Sequence, residues 1–177
     1  MAIYISENGF IALTLSAIET SIKYEATGIL LGYEVKRKDV INYYVENIIP
    51  YQIAERTSES VSVLPVRRNR IRRVFPNYMK YKIIGEFHTH PEGNIYLSPG
   101  DKKFIRSSGY ELEIVVAIKI GNKTRRAWDY NYKTKILSGS IDRYLIKIAG
   151  WRVENEKIVR QIITCPFAVG FDYLKPF

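Results

Sequence analysis

Cysteine is nearly absent from this chain: Cys165 is the only one in 177 residues. That excludes an internal disulfide framework and any multi-cysteine zinc knuckle, and it favours a reducing compartment. Histidine is almost as scarce, with His88 and His90 the only two. No apolar run is long enough to span a bilayer, and the opening Met-Ala-Ile-Tyr-Ile-Ser-Glu lacks the basic-then-apolar layout of a secretory signal. A cytoplasmic protein is expected. Acidic residues are in deficit, 18 against 27 basic, for a formal charge of +9. Such a balance suits an acidic partner, whether nucleic acid, anionic surface or acidic protein, and does not choose among them. Internal repeats, low-complexity segments and heptads are also missing. What is present is a hydrophobic content of 46%, enough for one ordinary core, so a single domain over residues 1–177 is expected.

Both histidines fall in the stretch Gly85 to Asp101, Gly-Glu-Phe-His-Thr-His-Pro-Glu-Gly-Asn-Ile-Tyr-Leu-Ser-Pro-Gly-Asp. They follow the apolar run Tyr81 to Ile84, at positions i and i+2 of a predicted strand, and alternation sends both imidazoles to one face. They can converge on one ion. A catalytic zinc takes three protein ligands and leaves a fourth place for water, and Asp101 is the natural third. Ser98 is a good helix N-cap, Pro99 a good first helical residue, and Asp101 sits where a capping-box acid would. The capping role and the metal role are compatible, because a helix N-terminus is a rigid place from which to aim a carboxylate.

In chain order, Ile3 to Ile5 reads as a short edge strand. Ser6 caps a helix in which Ile11, Leu15, Ile18 and Ile22 recur at helical spacing. Gly28 to Gly32 reads as a buried strand with Glu25 at its entrance, followed by a hairpin turn over Lys36 to Asp39 and a strand from Val40 to Ile49. The polar segment Arg56 to Ser62 reads as a mobile loop. Pro65 to Phe75 reads as a helix stopped by Pro76, with Val66, Ile71, Val74 and Phe75 on one side and Arg67, Arg68, Arg70, Arg72 and Arg73 on the other. That arginine face is either solvated or a docking surface for an acidic partner. A helix from Ser98 to about Ser108 closes at Gly109. Leu112 to Ile120 and Thr124 to Tyr132 read as a hairpin around Gly121 to Lys123. Residues 133–177 read as a C-terminal extension, with strand at Ile136-Leu137 and Tyr144 to Ile148 and helix over Asn155 to Ile163. The sum is α/β or α+β, one central mixed sheet flanked by helices.

Glu25-Ala-Thr-Gly-Ile-Leu-Leu-Gly32, followed by His88-Thr-His90-Pro91, six residues, Ser98, two residues and Asp101, resembles the JAMM (MPN-plus, JAB) zinc metalloprotease family in its prokaryotic form. The motif core spans residues 25–101. The resemblance implies a cytidine-deaminase-like JAB/MPN fold in which His88, His90 and Asp101 hold Zn²⁺ with water in the open place. Zinc brings the pKa of bound water to about 7. It further implies Glu25 as general base and then acid, and Ser98 as hydrogen-bond donor to the oxyanion of the tetrahedral intermediate.

Two features depart from eukaryotic deubiquitinating members of that family. Glu86 stands where an aromatic residue is frequent, so it is either a hydrogen-bond partner behind the ligands or a rival base. The short spacing around Asp101 leaves no obvious room for insertions that grip one polyubiquitin linkage. The expected function is therefore a zinc-dependent isopeptidase or peptidase acting at the C-terminus of a ubiquitin-like modifier or a sulfur-carrier-type protein, in modifier deconjugation, carrier processing or antiphage signalling. Strand addition of an extended tail beside the zinc would hold the substrate. The protein would be a monomer or homodimer. A non-catalytic MPN-type scaffold and a basic nucleic-acid-associated protein are the rival readings.

Overall fold

The computed structural model describes residues 1–20, 24–38, 40–52, 54–56, 61–74, 80–110, 112–122 and 126–170. Ile22, Asp39, Phe75, Pro76, Lys123 and residues 57–60 of the polar segment lie outside them. The elements run β1 Ala2–Ile5, α1 Glu7–Thr20, β2 Thr27–Arg37, β3 Val40–Pro50, β4 Glu55–Arg56, β5 Val61–Ser62, α2 Pro65–Val74 and β6 Lys82–His90. A 3-10 turn at Pro91–Gly93 leads to α3 Pro99–Ser107, then β7 Leu112–Ile120, β8 Asp129–Asn131, β9 Ile136–Ile141, β10 Tyr144–Glu154, β11 Lys157–Thr164 and α4 Pro166–Gly170. No helix among the described residues is long and apolar enough to cross a membrane.

The expected helix-flanked open sheet is not what forms. The strands run in the order β11-β1-β3-β2-β6-β7-β10, and β10 pairs again with β11, so seven strands close into a mixed barrel. β9 and β8 continue from β10 as a side flap, and β4 and β5 form a separate two-stranded ribbon. Closure depends on β10. Its Tyr144 to Ile148 half bonds β9, while Gly150 to Glu154 bonds β11. The handover falls at Gly150, where a Cβ would collide with Ile3 Cδ1. A strand that changes partner along one edge lets the sheet curl shut.

Several sequence expectations fail for the same reason. Asn155 to Ile163 is not a helix: Asn155 and Glu156 adopt positive φ of 47° and 65° in a tight turn, and Lys157 to Thr164 returns as the closing stave β11. β10 and β11 are thus staves of the barrel, while β9 lies in the flap beside it. β1 is no edge, since β3 and β11 flank it in parallel. β7 does not hairpin with its successor. It lies parallel to β6 and antiparallel to β10, and β8 pairs with β9 instead.

Alternation sorts the side chains into three clusters. Inward residues such as Leu30, Val45, Phe87, Ile114, Val116 and Ile148 form the main core, joined by Phe10, Leu13 and Ala17 of α1. The apolar stripe of α1 is thus one step from the expected one, and Ile11 and Leu15 are exposed. Ser6 does cap the helix, accepting from Gly9 N at 3.1 Å. On the opposite face of the sheet, α3 covers a cluster with Ile95, Ile105 and Val115, and α2 covers one with Ile29, Leu31 and Ile83.

A bulge in β2 falls between Leu31 and Gly32, where the register against β3 shifts. A Cβ on Gly32 would land on the Tyr44 carbonyl oxygen. Gly32→Ala is therefore expected to destabilise by about 1–3 kcal/mol, as overpacking against fixed backbone does. Urea unfolding measures it, and an unchanged midpoint would contradict the packing described.

Candidate metal centre

β6 carries Glu86, His88 and His90 on one face, opposite inward Phe87, and the barrel neighbours set their surroundings. Thr27 of β2 pairs with His88, and Val115 of β7 pairs with it on the other side. α3 begins at Ser98, whose hydroxyl accepts from Asp101 N at 3.1 Å while Asp101 Oδ2 accepts from Ser98 N at 2.6 Å, a complete capping box. The box aims Asp101 back at the histidines. Asp101 Oδ1 is 3.5 Å from His88 Nε2, and Oδ2 is 3.5 Å from His90 Nε2.

The tautomers follow from what lies behind the rings. His88 Nδ1 is 2.7 Å from Glu113 Oε1, and His90 Nδ1 is 2.9 Å from the Asn94 carbonyl. Both acceptors require Nδ1 to carry the proton, which leaves each neutral ring with a bare Nε2. Those two lone pairs face one another at 3.0 Å, with an Asp101 oxygen beside each. Two nitrogen lone pairs and two carboxylate oxygens converge there, an arrangement that a cation, whether a metal ion or a shared proton, would stabilise. Nδ1 hydrogen bonds of this kind are what orient metal-ligating histidines. The ligand atoms of His88, His90 and Asp101 all lie within 4.8 Å of one another, so this cluster could hold a metal ion. Two imidazoles and a carboxylate are a donor set that zinc takes in sites with an open position.

Titration of the cluster reflects crowding. Burial of His88 opposes its charge, but the Glu113 hydrogen bond and charge outweigh that and raise its pKa. Burial pushes Asp101 up, but the hydrogen bond with His90, the His88 charge and the Ser98 contacts hold it well below the usual carboxylate range.

Glu25, just ahead of β2, is 9% exposed and lines a cleft of about 190 Å³ with Thr27, Val61, His88, Ser98 and Asp101. Burial is the largest influence and raises its pKa, with His88 and His90 pulling the other way and Asp101 adding to the rise. Its backbone is pinned by the middle residue of the histidine pair. Thr89 Oγ1 accepts from Ala26 N at 2.7 Å, and Thr89 N donates to Ala26 O at 2.9 Å.

Glu86 is engaged elsewhere. It is fully buried, with Arg68 Nε donating to Oε1 at 2.7 Å, Arg68 Nη2 in close contact with Oε2, Tyr51 Oη donating to Oε1 at 3.1 Å, and Arg72 at 3.8 Å. It supports neither histidine and is not free to act as a base. The same contacts correct the reading of α2: Arg68 and Arg72 turn inward with Ile71, and Val66 and Val74 are exposed. Arg72 also donates to Ser108 O at 2.7 Å, and Phe104 and Tyr110 stack under the two guanidiniums.

The structure brings Glu25, His88, His90, Ser98 and Asp101 together, and adds Glu113, Thr89 and the Asn94 carbonyl, which the sequence did not single out. Glu113 had a signal, a lone carboxylate in the apolar strand Leu112 to Ile120. Thr89 and a backbone carbonyl had none.

Ser98 caps α3, and a second role, donation to a reacting oxygen, is an expectation. Its hydroxyl accepts from Asp101 N and still has its own hydrogen to give. Ser98→Ala is expected to cost about 1 kcal/mol of stability through the cap, and a further loss of rate only if that hydrogen meets the reacting oxygen. Melting and turnover of the one variant separate the roles.

No protein-family model and no curated protein matches the chain. Among solved structures it is similar to the solution structure of protein DSY2949 from Desulfitobacterium hafniense, at a TM-score of 0.56 over 92% of each chain and 16% identity. That likeness shows a shared fold, and the function must be argued from the residues of the cleft.

Proposed function

We propose that this protein is a zinc-dependent isopeptidase or peptidase of the JAMM type, acting at the C-terminal tail of a ubiquitin-like modifier or sulfur-carrier-type protein. The observation that carries the reading is the convergence of two tautomer-fixed Nε2 atoms and the Asp101 carboxylate in a cleft that also holds the buried carboxylate of Glu25. His88, His90 and Asp101 would hold the ion. Zinc bound there supplies Lewis acidity and a water acidic enough to serve as nucleophile near neutral pH.

The chain's own groups do the rest. Glu25 takes a proton from water and returns it to the departing amine, and its raised pKa suits both halves of that task. The Ser98 hydroxyl donates to the oxygen on which negative charge develops. Glu113 and Asn94 keep both rings in the tautomer that leaves Nε2 free. The extended tail would be held by strand addition at the ribbon rather than the barrel: β6 is paired on both sides, whereas β5, whose Val61 lines the cleft, pairs only with β4 among the described residues. An acidic partner would meet Arg67, Arg70 and Arg73, since Arg68 and Arg72 are committed to Glu86.

The test is cleavage of ubiquitin-like and sulfur-carrier proteins bearing a C-terminal extension. Zinc-dependent scission after the last residue of the modifier, stopped by chelator, is the expected result. Tight binding of such proteins with no scission in the presence of zinc would favour a non-catalytic scaffold.

A further inference from the structure

A second concavity, of about 480 Å³, lies next to the cleft and has no part in the proposed chemistry. Its volume is in the range of small-ligand sites, about 300–1,000 Å³. Ile29, Ile49, Val63 and Ile71 give it apolar walls, and Arg67 and Arg70 stand among them. Ile49 is 38% exposed.

The two concavities border the same two chain segments. The cleft is lined by Thr27 and Val61, the pocket by Ile29 and Val63. Each pair is one two-residue step further along the same two segments, about 7 Å in extended chain. The two concavities therefore lie against neighbouring positions of the same two chain segments.

The arginines differ in kind from their neighbours on α2. Arg68 and Arg72 are ion-paired with Glu86, whereas Arg67 and Arg70 form no side-chain hydrogen bond or ion pair among the described residues. One helical turn apart, they put two uncommitted guanidiniums on the same side of α2, at a pocket that otherwise wants an apolar group.

We propose that this pocket is a recognition site for an acidic, extended peptide segment, taking one bulky aliphatic or aromatic side chain between Ile29, Ile49 and Ile71 while flanking carboxylates pair with Arg67 and Arg70. Continuity of that segment with the one in the cleft rests on the peptidase reading; the pocket's preference does not. As part of a substrate, the segment would set specificity a few residues from the bond that is cut.

The experiment measures binding, so it stands apart from catalysis. Fluorescence anisotropy would follow labelled ten-residue peptides with a central leucine flanked by aspartate and glutamate, titrated with the full chain carrying Glu25→Gln. Replacing the leucine by glycine should weaken binding about tenfold or more, the worth of one buried aliphatic side chain. Arg67→Glu with Arg70→Glu should abolish binding of the acidic peptide and turn the preference toward a lysine-flanked one. Arg67→Gln with Arg70→Gln serves if the charge reversal unfolds the chain, and should weaken binding and its salt dependence together. Ile49→Lys should block the pocket without altering zinc content. Equal binding of leucine and glycine peptides, or no response to the arginine changes, overturns the proposal. Concentration-dependent self-association removed by Ile49→Lys overturns it too, by giving the face to a second copy. Peptide binding as expected with no modifier ever cut would leave the pocket standing and remove the peptidase reading.

Discussion

Glu25→Gln is expected to leave metal bound and lower turnover by about 10²- to 10⁴-fold, the range a positioned acid or base supplies. The substitution keeps the size of the side chain and removes its proton affinity. Glu25 sits in the same cleft as the three ligand residues but is not among the atoms that converge. Metal content should therefore match the unaltered protein, and melting should shift little. Burial raises the Glu25 pKa above its ordinary 4.5. For the unaltered protein the base is lost by protonation as pH falls through that raised value, so activity should decline on acidification before an ordinary carboxylate would titrate. Full turnover in Glu25→Gln would remove Glu25 from the mechanism, and with Glu86 buried against arginine no second carboxylate of β6 is free to replace it.

Arg68→Met is expected to be the most destabilising single change outside the core. Glu86 is 0% exposed and depends on the Arg68 guanidinium for its main charge partner. Removing one member of a buried pair leaves an uncompensated charge and typically costs about 3–5 kcal/mol. Tyr51 and Arg72 still reach Glu86, so the lower end of that range applies. Adding Glu86→Gln to Arg68→Met should recover a large part of the loss, because the second change removes the stranded charge. Chemical denaturation of the two single variants and the double measures the coupling. Additive losses would mean that the pair does not carry α2 onto the barrel. Glu86→Gln alone should leave turnover near normal per folded molecule, since the carboxylate reaches neither histidine.

The candidate site was legible in the sequence because its constraints are local. His88 and His90 share a face by alternation, and Ser98-Pro99-Gly100-Asp101 carries its own helix start. Glu25 was placed by resemblance, and the structure brings it to the cleft through the Thr27 to His88 pairing. The closure of the barrel was not legible, because it depends on a strand, Lys157 to Thr164, whose apolar residues also suit a helix, and on one edge of β10 serving two partners. Neither is a property of a short window. The arginine helix misled for a different reason. Arginine on a helix is ordinarily solvated, but here the apolar residues Val66 and Val74 face out and two arginines face in, because a buried glutamate on a neighbouring strand outbids the usual preference. That long-range pairing also explains Glu86, which alternation alone put on the histidine face without saying what would meet it.

Zinc binding by His88, His90 and Asp101 can be read from the metal content of the purified protein. Inductively coupled plasma mass spectrometry of protein purified without added metal and without a histidine tag should find close to one zinc per chain, lost on dialysis against chelator and lost in His88→Ala. Binding only to the folded chain should also raise the melting temperature as zinc is restored. A purified protein with no stoichiometric metal, together with melting that zinc leaves unchanged, would contradict the account and assign the close approach of the two Nε2 atoms to a shared proton instead.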